Sequence, residues 1–276
     1  MKRTLTSKIL TYVFAAVVMI CSVFPIYWVV VSSLRGAKYF FADSQVLIPN
    51  HISFEYYQNL LRFTNYLTYY KNSLIVAVIA TAVSTLVSSQ IAYVTSRFVF
   101  FGSRWLMNVM LIAYMLPAML IAIPLIGIYI KLGIDNTLFA LIISHISITL
   151  PFGVWMLDSF YRTIPVELEE SSMVEGASRF QTMFKVVIPL IIPGLITVEI
   201  FSFIVSWTDY TYGFMIISSE NLKTVPVGLA TIRGAGDLRW GELLAGASLI
   251  LVPMTVVFSF VSKYFIGGLT SGAVKG

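Results

Sequence analysis

The stretch from Asn72 to Ser96, NSLIVAVIATAVSTLVSSQIAYVTS, is 25 residues long and contains no Asp, Glu, Lys or Arg. A bilayer core about 30 Å thick is crossed by roughly 20 apolar residues in a helix. Strands of soluble proteins are much shorter than this stretch. The stretch therefore predicts a membrane-spanning helix, with Lys71 and Arg97 marking its ends.

Five further stretches are long and apolar enough to cross a bilayer. Four of them contain no Asp, Glu, Lys or Arg, and the fifth, from Val186 to Thr208, is interrupted only by Glu199. We therefore predict an all-α integral membrane protein, a single transmembrane domain over residues 1–276 with six transmembrane helices. The predicted spans cover residues 9–34, 73–96, 105–130, 137–158, 187–208 and 243–262.

The composition excludes two other classes of protein. The hydrophobic residues make up 58% of the chain and the charged residues 11%, whereas about 25% charged residues are usual in soluble proteins. So few charges cannot cover a soluble globule, and intrinsic disorder needs low hydrophobicity and high charge. The net charge of +5 therefore points to membrane topology rather than to a nucleic-acid partner. Cys21 is the only cysteine, so we expect neither an internal disulfide nor a cysteine-based metal site.

The distribution of basic residues predicts that both termini are cytoplasmic. Segments 1–9, 96–104, 161–187 and 263–276 hold 10 basic residues in 59 positions, against 8 in the 77 positions of the loops on the other side. Because cytoplasmic loops carry an excess of Lys and Arg, this distribution favours cytoplasmic termini over the inverted topology. The first apolar run is about twice the length of the apolar region of a signal peptide, so we expect an uncleaved anchor.

The longest predicted cytoplasmic loop, at residues 161–187, has the pattern of a helix, a glycine turn and a second helix. From residue 164 to 190 the sequence is IPVELEESSMVEGASRFQTMFKVVIPL. Pro165 suits the first turn of a helix, and glutamates follow where the helix dipole favours acids. Gly176 suits a helix end. Ser178 followed three residues later by Gln181 is the pattern of a capping box.

The first helix of this loop has an apolar stripe that contains a charge. At about 100° per residue, Val166, Met173 and Ala177 fall on one side, Glu170 lies among them, and Glu169 lies off the stripe. A charge within a docking face is costly unless it is paired. We therefore predict that the loop enters a groove of another protein, where Glu170 meets a cation. The alternative is an amphipathic loop resting on lipid headgroups, which the negative inner leaflet disfavours for a segment rich in glutamate.

This loop resembles that of the inner-membrane subunits of binding-protein-dependent ABC importers. Their signature is Glu-Ala-Ala, three residues, Gly, and a Leu-Pro about a dozen residues later. Glu170, Ser171, Ser172 and Gly176 occupy the first places and Ile188–Pro189 the last, with Ser for both Ala and Ile for Leu. The resemblance extends over nearly the whole chain. The stretches WTDY from Trp207 and GLTSGAVKG from Gly268 are similar to those of the six-span subunit of maltose-type sugar permeases.

The resemblance implies a five-helix type I ABC importer core formed by spans 2–6, with the first span packed outside it. It implies that loop 161–187 carries a coupling helix seated in a cleft of an ATPase subunit, and that a cytoplasmic tail, 264–276, reaches the ATPase pair. The residues that it assigns to ATPase docking are Glu170, Ser171, Ser172, Met173, Val174, Gly176, Ala177 and Pro189.

The resemblance also implies the partners. They are a second permease subunit, two ATPase subunits that bind ATP and Mg, an extracellular solute-binding protein, a sugar substrate and the lipid bilayer of a bacterial or archaeal cell membrane. The chain itself has no GxxxxGK[ST] pattern for nucleotide phosphates and no Ser-His-Asp or His-Glu-x-x-His pattern. We therefore expect no bound cofactor, no metal, no catalytic residue, no nucleic acid and no enzymatic activity on this chain.

Four residues are candidates for lining the translocation path: Glu199, Tyr114, Trp207 and Asp209. An ionisable group within a span faces the protein interior or a water-filled cavity, so Glu199 contacts sugar hydroxyls, the second permease or a structural partner. The aromatic rings either stack on sugars or belong to the core. Three prolines, Pro117, Pro124 and Pro151, are predicted to break helix hydrogen bonds near a cavity. His145 is predicted to hydrogen-bond a neighbouring helix.

The function predicted from the resemblance is that of a permease subunit importing a carbohydrate, most simply an oligosaccharide. One alternative is an ABC permease for another polar solute, such as a glycerol-phosphate ester; it would favour Arg or Lys inside the spans, where none occurs. A second alternative is a stand-alone proton-coupled transporter using Glu199 and His145. Such carriers usually contain internal repeats, and the two halves of the sequence show none. A membrane-embedded enzyme is the third.

Overall fold

The computed structural model describes residues 5–40, 47–98, 100–232 and 239–273. Over these residues the protein is helical, and its only β-type pairing is an isolated antiparallel bridge between Arg35 and Ile52. In chain order the helices are α1 (Leu5–Ser33), α2 (Glu55–Phe63), α3 (Tyr66–Arg97), α4 (Ser103–Met115), α5 (Ala118–Leu132), α6 (Leu138–Arg162), α7 (Val166–Val174), α8 (Arg179–Leu190), α9 (Ile192–Thr208), α10 (Thr211–Ile216), α11 (Val225–Thr231) and α12 (Trp240–Ala273).

Four of these helices, α1, α3, α6 and α12, are each long and apolar enough to cross a membrane. Two further spans are made by bent pairs, α4 with α5 and α8 with α9, which brings the total to six when each pair counts as one span. The protein is therefore an all-α membrane protein, as the uncharged stretches predict.

The predicted third span, residues 105–130, is not one continuous helix. The axes of α4 and α5 differ in direction by 102°. Leu116 has extended backbone angles, φ −72° and ψ 134°, because a following proline disfavours the helical region. Pro117 itself stands outside both helices. By contrast, Pro124 lies within α5 and Pro151 within α6 without ending either helix.

The predicted fifth span and the C-terminal tail also differ from simple helices. Helix α8 contains a π-helical segment, Met183–Val187, and meets α9 at an angle of 76° around Ile191. The predicted last span and most of the predicted tail, 264–276, form one helix, because α12 continues without a break to Ala273. Residues 274–276 of that tail lie outside the described residues.

The chain divides into two compact units. The first comprises Met1–Leu67 and Leu229–Pro253. In it α1 is exposed from Lys8 to Tyr27, and α2 packs on α12. A Cβ added at Gly241 would lie 2.2 Å from Cε1 of Tyr56, so this glycine allows the tyrosine ring to lie directly on α12.

The second unit comprises Thr68–Gly228 and Met254–Gly276. Helices α3, α6 and α9 meet closely at Gly153 of α6. A Cβ added there would lie 2.7 Å from Oγ of Ser88 and 3.1 Å from Cγ1 of Val198. This unit contains two buried apolar clusters, one that includes Leu157, Tyr161 and Val187 and another that includes Tyr129 and Leu141. The first cluster supports the loop that carries α7.

Candidate functional site

The loop after α6 contains both local features that its sequence predicts, a helix end at Gly176 and a capping box at Ser178. Helix α7 follows Pro165 and ends at Val174, and Gly176 has a φ of 96°, which glycine adopts without steric cost. Ser178 then starts α8 with a complete capping box. Its Oγ accepts from Gln181 N at 3.2 Å, and Gln181 Oε1 accepts from Ser178 N at 2.9 Å. Both predictions are confirmed.

A buried ion pair fastens α7 to the end of α3. Glu169 Oε1 accepts from Arg97 Nε at 2.5 Å, and the side chains are 6% and 7% exposed. Tyr93 donates its hydroxyl to Glu169 Oε2 at 2.9 Å, and Arg97 Nη2 donates to the carbonyl of Ile164 at 3.1 Å. We call these four residues the loop clamp. Because burial strengthens such an interaction and every charge in it is paired, the clamp ties α7 to the end of α3.

Sequence reasoning missed the role of Glu169. It placed this residue off the apolar stripe and assigned it no partner, because the partner lies 72 residues earlier in the chain. A usable signal was present in Arg97, the charge that ends the uncharged run of α3. A cation at the end of a span beside an acidic loop indicates an ion pair.

A different face of α7, about 100° around the helix from Glu169, is an exposed ridge formed by Val166, Glu170 and Val174. These residues are four positions apart and so share one face of the helix. Val166 is 47% exposed and Val174 is 88% exposed. Glu170 is exposed, and no described residue hydrogen-bonds to its carboxylate. The ridge is therefore an exposed apolar surface with a charge at its centre that has no partner among the described residues.

The other predicted docking residues are divided between this surface and the base of the loop. Exposed positions are Ser171, Gly176 and Pro189, and half-buried positions are Ser172, Met173 and Ala177. Ser171 Oγ donates to the carbonyl of Glu167 at 2.8 Å. The hydroxyls of Ser172 and Thr182 share a hydrogen bond of 3.1 Å, which ties α7 to α8. Whether any of these residues contacts an ATPase stays a prediction.

The four path candidates have different surroundings. Glu199 is exposed on α9 between the buried residues Val198 and Ile200. Tyr114 is 44% exposed, and its ring centroid lies 5.6 Å from that of Phe152.

The other two candidates, by contrast, are engaged within the chain. Trp207 is only 1% exposed, with the rings of Tyr70 and Phe203 at 5.3 and 5.8 Å. Asp209 accepts from the backbone N–H of Tyr212 at 3.3 Å and of Gly213 at 3.0 Å.

His145 bridges α6 to the end of α9. Its Nδ1 lies 2.5 Å from Ser206 Oγ and its Nε2 lies 3.2 Å from Asp209 Oδ2. The predicted hydrogen bond of His145 to a neighbouring helix is therefore confirmed. The imidazole is 1% exposed, and its Nε2 contact helps to hold the Asp209 carboxylate, which accepts from two backbone N–H groups of α10.

A second polar cluster ties segment 218–223 to α3 and to the turn between α5 and α6. Asn136 Oδ1 accepts from the backbone N–H groups of Ser218 and Ser219, both at 3.0 Å. Glu220 accepts from Lys223 and from the hydroxyl of Tyr69. These two hydrogen bonds, that of Lys223 foremost, hold the pKa of the Glu220 carboxyl below its usual value.

Comparison with known proteins places this architecture among transport proteins. A family model described as "Binding-protein-dependent transport system inner membrane component" matches residues 84–270. The "Inner membrane ABC transporter permease protein YcjP" of Escherichia coli (strain K12) is 34% identical, over 100% of this chain and 99% of its own length. The "Diacetylchitobiose uptake system permease protein DasC" of Streptomyces coelicolor is 30% identical over 100% of both chains.

A solved structure has the same fold. It is a crystal structure of "a bacterial ABC transporter involved in the import of the acidic polysaccharide alginate". One of its chains aligns with a TM-score of 0.80 and 21% identity over 95% of this chain and 99% of that one.

Proposed function

Because the chain belongs to the family of binding-protein-dependent transport system inner membrane components, we propose that it moves a carbohydrate, an oligosaccharide, into the cytoplasm. As a member of this family it is a multi-pass permease subunit of an ABC importer, and ATP hydrolysis belongs to a separate subunit. The observation that carries the proposed mechanism is the exposed ridge of α7, backed by the buried loop clamp.

The carbohydrate assignment rests on the relatives and on the spans. The Streptomyces coelicolor relative is named for diacetylchitobiose uptake. No Lys or Arg lies inside the predicted spans, where a phosphate ester would favour a cation. A neutral, hydroxyl-rich solute suits such a path better than a glycerol-phosphate ester does. Membership of the family also replaces the stand-alone proton-coupled carrier as the working hypothesis.

The proposed coupling runs from the ATPase through α7 to the spans. Two ATPase subunits, which hold ATP and Mg, close on each other and carry the docked ridge with them. Because the clamp joins Glu169 of α7 to Arg97 of α3, a movement of α7 displaces the cytoplasmic end of α3. Asp158 and Arg162 of α6 lie beside it, and Thr95 of α3 donates to Asp158 at 3.0 Å. The ends of α3 and α6 are thus displaced together.

The complete importer then contains this chain, a second permease, two ATPases and an extracellular binding protein that releases the sugar into the cavity. In this arrangement the termini and α7 are cytoplasmic, and Glu199 and Tyr114 face the path or the second permease. Trp207 and Asp209 support the path from within the protein, since Trp207 is only 1% exposed and Asp209 accepts from the backbone of Tyr212 and Gly213.

The experiment is a pull-down of the tagged chain from its own membranes with matched charge reversals. Glu170→Lys changes the centre of the ridge, and Glu175→Lys makes the same change about 140° away around the helix. We expect a P-loop ATPase and a second permease to co-purify with the wild type. The ATPase alone is lost from Glu170→Lys, and Glu175→Lys behaves as the wild type.

Two results would contradict the proposal, one by excluding the docking face and the other by excluding the assembly. If Glu170→Lys keeps the ATPase, the ridge is not the docking face. If the wild type purifies without any ATPase, the assembly itself is wrong. Uptake of labelled disaccharides by cells with and without the chain tests the substrate class separately.

A further inference from the structure

A cavity of about 500 Å³ opens at the ends of α3, α4 and α6, on the side that carries α7. It has a polar part and an apolar part. Arg104, Arg162 and Asn108 line the polar part, and Leu111, Met107 and Trp155 line the apolar part. A cavity with both characters at the end of membrane spans fits an amphiphile.

The charge balance of this cavity favours an anion. Three arginines and one acid line it. Arg97 is neutralised by Glu169 outside the cavity, and Arg162 by Asp158 within it, at 2.7 Å. Arg104 is exposed and has no acidic partner among the described residues. One full positive charge is therefore uncompensated.

Hydrogen-bond donors remain available beside that charge. Arg162 uses Nε and Nη2 for Asp158 and the carbonyl of Thr95, and no described atom accepts from its Nη1. Helix α4 starts at the cavity after Gly102, and no side chain caps its first turn. The first N–H groups of a helix attract anions. Arg104, Arg162 and this helix end thus present donors to one polar region.

The apolar part indicates that the anion carries a hydrocarbon chain. Trp155 is 46% exposed and Leu111 is 41% exposed, and Leu111 lies two helical turns beyond Arg104 along α4. Indole rings are enriched at the level of lipid headgroups. Basic pockets between helices at a membrane surface bind acidic lipid headgroups.

We propose that this cavity is a binding site for an anionic glycerophospholipid, whose phosphate meets Arg104 and Arg162 while an acyl chain follows Leu111. The proposal is independent of the substrate and of ATPase docking. It assigns Arg104 a role that neither the coupling loop nor the path uses.

The test is native mass spectrometry of the purified chain titrated with phosphatidylglycerol, phosphatidylcholine or inorganic phosphate. The variants are Arg104→Gln, Arg104→Lys and the control Lys131→Gln, which removes an exposed cation from the far end of the same bent span. Removing one charge-assisted contact should weaken phosphatidylglycerol binding about tenfold or more. Arg104→Lys should retain most of the affinity, and Lys131→Gln all of it.

Each other outcome overturns the proposal. Equal phosphatidylglycerol binding by the wild type and Arg104→Gln means that this cavity is not the site. If the wild type binds phosphatidylcholine as tightly as phosphatidylglycerol, the negative charge of the lipid does not contribute to binding. If inorganic phosphate displaces the lipid at equal concentration, the site binds a free anion and the acyl chain contributes nothing. Equal weakening by Lys131→Gln means that general surface charge is responsible.

Discussion

Glu169 differs from the neighbouring glutamates of its loop in its surroundings. Its carboxylate is buried and receives hydrogen bonds from Arg97 and Tyr93, whereas Glu170, one residue later, is exposed. One residue in a helix is a rotation of about 100°, which is enough to separate an internal ion pair from a docking charge. Of these two adjacent acids, Glu169 is held inside the protein, and Glu170 is left free for the proposed docking contact.

We expect Glu169→Ala to lower the free energy of unfolding by about 3–5 kcal/mol, because it leaves the buried guanidinium of Arg97 unpaired. Glu170→Ala is the matched control and should change it by less than about 0.5 kcal/mol, as for an exposed position. The measurement is thermal unfolding of the purified protein in detergent. Equal shifts for the two variants would show that the clamp does not stabilise the loop.

Gly153 and Gly127 provide a second matched pair. A methyl group on Gly153 would meet Ser88 and Val198, whereas nothing lies within 4 Å of a Cβ on Gly127. We expect Gly153→Ala to destabilise the protein by about 1–3 kcal/mol through overpacking. Gly127→Ala should be neutral or slightly stabilising, because alanine favours a helix. Thermal unfolding of the two variants measures this difference. A neutral Gly153→Ala would mean that α3, α6 and α9 are less closely packed at Gly153 than the structure shows.

The elements of the fold divide into those predictable from local sequence and those that depend on distant residues. The end of α7 at Gly176 and the start of α8 at Ser178 follow from backbone conformation and capping, so sequence alone predicts them. Pro117 indicates a break between α4 and α5, but the angle of 102° depends on how each of the two helices packs on α6. The partners of Glu169 and Asn136 lie more than 70 residues away in the chain, beyond the reach of periodicity.

Segment 218–223 should respond to pH through Glu220. Because the folded-state pKa of this carboxyl lies below its usual 4.5, its contribution to stability is fully present above pH 4.5 and is lost as pH falls through the lowered pKa. The difference in Tm between the wild type and Glu220→Gln should therefore be constant from pH 5.5 to 8 and shrink below about pH 4.5. A difference that grows on acidification would contradict this assignment, and Glu167→Gln serves as the control.

For the whole molecule, the first question is its orientation in the membrane. With cytoplasmic termini, the turn before α4 is inside and the turn after α5 is outside. Phe101 in the first turn is fully exposed, and Asp135 in the second is exposed. In a Cys21→Ala background, an impermeant maleimide added to intact cells should label Asp135→Cys at least about tenfold faster than Phe101→Cys. The opposite pattern would establish the inverted topology.

The position of Glu199 has a consequence for the lifetime of the subunit in the cell. Its carboxylate is exposed on a span and has no partner among the described residues, and such a group in lipid costs several kcal/mol. If the second permease of the proposed assembly covers this carboxylate, a subunit made without it exposes a charged group to lipid, which quality-control proteases can recognise. We expect the chain made without the second permease to be degraded several-fold faster than in the complex, and Glu199→Leu to remove most of that difference in a pulse-chase experiment. The same carboxylate would then limit the amount of subunit that accumulates without its partner.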